Sequence, residues 1–120
     1  MRRGDIVQAI EKGREEGMLF IHWWRKENDF SDYELCDSFV RNADSSHEIG
    51  GFDLLNLEQM WDVLTRWKPT GLKRYRSGRG EMIEWQRKGA DGTLERETCA
   101  LTPETVMYIF DYETRGDVVG

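Results

Sequence analysis

The chain has 120 residues, the length of one domain and enough for a modest core without staples. Its 23 Asp and Glu outweigh 17 Lys and Arg, a net charge of −6, and 33% of the residues are charged. A mean hydropathy of −0.72 and the lack of any apolar run near the ~20 residues of a spanning helix argue against a membrane protein, as the lack of a signal-peptide core argues against an exported one; 12% aromatic content argues against disorder.

Asp5 reads as the cap of a first helix, with Ile6, Val7 and Ile10 on its apolar face and Gly17 at its end. Met18 to Trp24 is short, aromatic and β-branched, and reads as a buried strand. Trp23 and Trp24 are adjacent, so in a strand they point to opposite faces; Trp24, if exposed, is the best single binding anchor. Residues 27–30 form a turn. Ser31 and Glu34 have capping-box spacing, which predicts a second helix with Leu35, Cys36, Phe39 and Val40 on one face.

Residues 42–51 read as the longest loop, with His47 in it and Gly50-Gly51 turning the backbone. Asn56 and Gln59 form another capping box and open the clearest helix, striped by Leu57, Met60, Trp61, Leu64 and Trp67 and stopped by Pro69 and Gly71. Three strands follow, at 72–76, 82–87 and 94–101, separated by turns at 77–80 and 88–92. Thr102, Pro103 and Glu104 begin a last helix that Gly116 ends, leaving 117–120 as a frayed tail. The expected architecture is a single α+β domain of order αβααβββα, an antiparallel sheet of three to four strands packed by about four helices.

Chemistry-bearing motifs are sparse. Cys36 and Cys99 lie far apart and His22 and His47 stand alone, so no zinc spacing occurs; the cysteines read as small hydrophobes in a reducing cytosol. Gly78-Arg79-Gly80 is too short for a phosphate loop, and no nucleophile motif is present. No catalytic residue, cofactor site or metal site is assigned. An enzyme using an unidentified carboxylate dyad, with Glu81 and Glu84 nearest to one, stays as a second alternative.

Charge is segregated. Residues 1–65 carry a net −7, residues 66–88 a net +6 and residues 89–120 a net −5. The basic block admits three readings: arginines paired across the sheet with acids such as Glu95 or Glu97, a nucleic-acid contact through Arg74, Arg76 and Arg79 beside Tyr75 and Trp85, or an anchor on a protein. Glu27, Asp29, Asp32, Glu34 and Asp37 crowd one short stretch, where they can imitate a phosphate backbone. The expected function is that of a small cytoplasmic binding protein, an inhibitor or immunity-type protein that blocks a nucleic-acid-processing enzyme by occlusion. Its partner would be a larger protein, with no membrane involved. Phage-encoded anti-CRISPR proteins, acting in the host cytoplasm, and toxin-neutralising immunity proteins share this size and charge. The expected contact residues are Trp24, Asp29, Asp32, Glu34, Asp37, Arg74, Tyr75, Arg76 and Arg79. The alternative is a nucleic-acid-binding module using residues 66–88.

Overall fold

Helix α1, Arg3–Arg14, turns Ile6 and Ile10 inward, and its chain reverses at Gly17, whose φ of +80° suits a residue without a Cβ. Asp5 lies inside the first turn, where a carboxylate favours the helix N-terminus, and not at the cap, which is Arg2. The computed structural model describes residues 2–42, 49–68 and 70–116. His47, Pro69 and the tail 117–120 lie outside these. The class is α+β, with four α-helices and two three-stranded antiparallel sheets among the described residues, in the order αββαβαβββα. The chain groups into two compact units, residues 1–60 and 61–120.

In the first unit, β1 (Phe20–Arg25) is the centre of a sheet ordered β2-β1-β3. β2 is Ser31–Leu35, β3 is Ile49–Leu55, and helix α2, Cys36–Asn42, follows β2 directly. Two expectations are corrected here. Ser31 to Glu34 begins a strand and not a helix, because each of these residues pairs with β1: Trp24 with Ser31, Trp23 with Asp32, His22 with Tyr33 and Ile21 with Glu34. Gly50-Gly51 belongs to β3 and not to a loop, with Trp24 registered on Gly51 and Trp23 on Phe52. The sheet therefore comes from three strands where the sequence suggested one. One face carries Ile21, which packs with Ile6 and Ile10 of α1, Cys36 and Phe39 of α2, and Ile49; Trp23, Phe52 and Leu54 lean on this core.

Helix α3, Leu57–Trp67, is opened by a reciprocal cap at the predicted box: the Asn56 backbone N–H donates to Gln59 Oε1 at 2.8 Å, and the Gln59 N–H donates to Asn56 Oδ1 at 2.9 Å. In the second unit β4 (Leu72–Ser77), β5 (Gly80–Lys88) and β6 (Leu94–Ala100) form the meander read from the sequence, with β5 central and β6 at an edge. The β5–β6 turn is fixed by Asp91, whose Oδ1 accepts from the Thr93 N–H and hydroxyl, and by Gly92 at φ +85°. Helix α4, Pro103–Asp111, starts on the predicted cap, Thr102 Oγ1 accepting from the Thr105 N–H at 3.1 Å, and runs into a π-helical turn at Tyr112–Gly116. Trp85, on the inner face of β5, is 1% exposed; Tyr108 and Tyr112 meet its ring edge-on. Its indole donates to Glu113 Oε1 at 3.2 Å, the same oxygen that holds Lys68 Nζ at 3.0 Å.

A candidate interaction surface

Strand alternation separates the two adjacent tryptophans as predicted. Trp23 goes to the core side, where its indole donates to Glu34 Oε2 at 2.6 Å and its ring meets Phe30 and Phe39. Trp24 goes to the opposite side with His22 and Tyr33, all half-buried. His22 stacks on Tyr33 with ring centroids 4.3 Å apart, and lies 5.2 Å from the Trp24 ring. The Trp24 ring rests over Gly51: a Cβ built on that glycine would stand 2.6 Å from Cε2 of the indole. Asp53 pairs with His22 in register, and its exposed carboxylate is 3.9 Å from Nδ1, beyond hydrogen-bond reach. Burial pushes the His22 pKa down, against the opposing pull of Asp53 and Asp32.

The crowded acids lie on three neighbouring stretches, the β1–β2 turn, β2 and α2. Asp32 and Glu34 share the face of Trp23 by alternation, with Asp32 Oδ1 accepting from the Tyr33 N–H at 2.9 Å. Asp37 pairs with Arg14 of α1. Asp29 is exposed in the turn beside Glu27 and Asn28. Trp24 is thus brought together with Asp53, a residue that sequence spacing did not single out.

In the second unit Arg74, Arg76 and Arg87 carry carboxylate partners. Arg74 Nε reaches Glu81 Oε2 at 3.1 Å, and Arg76 reaches Oε1 of the same residue at 3.3 Å. The hydrogen bond from Arg74, with help from Arg76, holds the Glu81 carboxyl below its ordinary pKa. Arg74 also lies over the Trp61 ring at 5.6 Å. Arg87 pairs with Glu95 at 3.4 Å and Glu97 at 2.6 Å, the cross-strand partners named from the sequence, and lies over Trp85 at 5.7 Å. Tyr75 is on the opposite face of β4 from Arg74 and Arg76, paired with Met82, so the proposed arginine–tyrosine interleaving is split across the sheet. Arg79 is exposed in the β4–β5 turn. A shallow groove of about 200 Å³ on the outer face is lined by Gly71, Leu72, Lys73, Glu84, Gln86 and Arg96, with charges of both signs.

The most exposed tryptophan is Trp67, at 58%, although its helical spacing placed it in the core stripe. It ends α3, where only Phe110 meets its ring among the described aromatic contacts. Position at a helix end was the signal available for it. Both cysteines are free; Cys36 is buried, which pushes its thiol up to about 11, and Cys99 is half-buried. Among the described residues no group of three His, Cys, Asp or Glu side chains could hold a metal, and no helix is long and apolar enough to cross a membrane. No family model, curated protein or solved structure matches the chain.

Proposed function

We propose that this chain is a stoichiometric binding protein whose first unit covers a basic surface of a larger protein, of the kind that a nucleic-acid-processing enzyme carries in its channel. The observation that supports the reading most is where the charge lies. Residues 1–60 hold 7 basic and 13 acidic side chains, while residues 61–120 hold 10 of each. The net −6 thus belongs to the first unit, which also carries the half-buried Trp24 beside the exposed Asp53 carboxylate. In the second unit Glu81 engages Arg74 and Arg76, two of the three arginines that would otherwise offer a nucleic-acid contact, and Glu95 and Glu97 engage Arg87; Arg79 stays exposed. Anti-defence inhibitors of the anti-CRISPR kind and toxin-neutralising immunity proteins work on this principle of occlusion.

The test is capture by the tagged chain from lysate with and without nuclease treatment. The expected result is one stoichiometric protein in both samples, which loses its nucleic acid when the purified chain is added. Glu27→Lys with Asp29→Lys, both in the exposed turn, should slow association on the order of tenfold at low salt. Capture of nucleic acid alone, in the untreated sample and abolished by Arg79→Glu with Arg76→Glu, would replace this reading with that of a nucleic-acid-binding module.

A further inference from the structure

Two arginines of the second unit occupy the same composite seat. Arg74 lies over the Trp61 ring while its guanidinium pairs with Glu81, and Arg87 lies over the Trp85 ring while it pairs with Glu97. Each seat is an indole face beside a carboxylate. The planar guanidinium suits it because it can stack on the ring and direct N–H groups at the carboxylate together, which a lysine ammonium cannot do.

The Trp24 face of the first unit has these two parts. Across the sheet Trp24 is flanked by Ser31 on β2 and Gly51 on β3; the half-buried indole rests on Gly51, and neither neighbour carries a large side chain. Asp53 stands diagonally from it, at a spacing of roughly 7–8 Å in a sheet, within the span of one arginine side chain. The Asp53 side chain is 71% exposed, and its distance to His22 leaves the carboxylate available to another donor. No cation of the chain lies over Trp24 among the described residues. The His22–Tyr33 stack stands on one side of the indole, with the His22 ring 5.2 Å from it.

We propose that Trp24 and Asp53 form a seat for an arginine side chain of the partner protein, the guanidinium stacked on the indole and paired with the carboxylate. The proposal rests on the binding function above and names the group that the surface takes. The charge of the first unit selects a cation, and the ring selects one that stacks. A basic nucleic-acid channel presents such arginines.

The experiment follows the tryptophan indole N–H resonances while an acetylated Gly-Arg-Gly-Arg-Gly amide is added at low salt, with the citrulline peptide as its uncharged counterpart. The expected result is a saturable shift of the Trp24 resonance with the arginine peptide, at least tenfold weaker with citrulline. The Trp61 and Trp85 resonances, whose rings already hold an arginine, should stay in place. Asp53→Asn, at an exposed position, should weaken the Trp24 response at least threefold, and Asp29→Asn should not. No Trp24 shift, an equal shift with citrulline, or an unchanged response in Asp53→Asn would overturn the seat. Partner capture separates the two readings. If capture persists without a Trp24 response, the seat falls and the binding function stands. If Trp24 responds and no partner is captured in any sample, the seat stands and the binding function falls.

Discussion

Gly51 decides where Trp24 can lie. With no side chain at that position the indole settles against β3; any Cβ would force it outward or distort the strand. Gly51→Ala should therefore destabilise the fold by about 1–3 kcal/mol, the usual cost of overpacking, as read by chemical denaturation. A smaller loss would mean that the ring swings off the strand at little cost. Little of this was legible in the sequence. Adjacent tryptophans on opposite faces follow from strand geometry alone, and that part could be read. The glycine beneath Trp24 and the Asp53 beside it depend on the register of β1 with β3, and residue spacing says nothing about register. The same limit applies to Glu113, which takes both the Trp85 indole and the Lys68 ammonium on one oxygen although its partners lie 28 and 45 residues away.

Elements whose ends are locally determined were legible; elements created by distant pairing were not. Asn56 and Gln59 satisfy each other's backbone within one turn, and the box works as it reads. Asn56→Ala removes the oxygen that caps the Gln59 N–H and should cost about 1 kcal/mol in thermal or denaturant unfolding. Ser31 and Glu34 have an equally good box, but the intervening backbone is claimed by β1 and Glu34 is claimed by the Trp23 indole. Cross-strand hydrogen bonds plus a half-buried aromatic outweigh a cap. The helix then begins one turn later, at Cys36, and keeps the predicted Cys36 and Phe39 on its inner side. The meander of the second unit was readable because its turns carry their own chemistry, Asp91 with Gly92 above all.

For the molecule as a whole, the sequence showed charge in blocks but not how much of it is already spent within the chain. The basic stretch 66–88 reads as a net +6, yet Arg74, Arg76 and Arg87 face carboxylates across their own sheet, and Lys68 faces Glu113. The carboxylates on β6 have a second consequence, for how copies of the protein meet. An edge strand is an open row of backbone donors and acceptors on which another copy can assemble. In a two-fold antiparallel pairing, residues equally far from the axis face each other, so the register that uses all seven residues of Leu94–Ala100 sets Glu97 against its own twin. Registers centred on Glu95 or Arg96 oppose like charges too. Glu97→Thr would remove that repulsion, and sedimentation at rising concentration should show dimers that the parent chain does not form. If the proposed function holds, the carboxylates that hold Arg87 within one molecule would also keep the copies separate, so that a chain binding its partner mole for mole would not first consume itself.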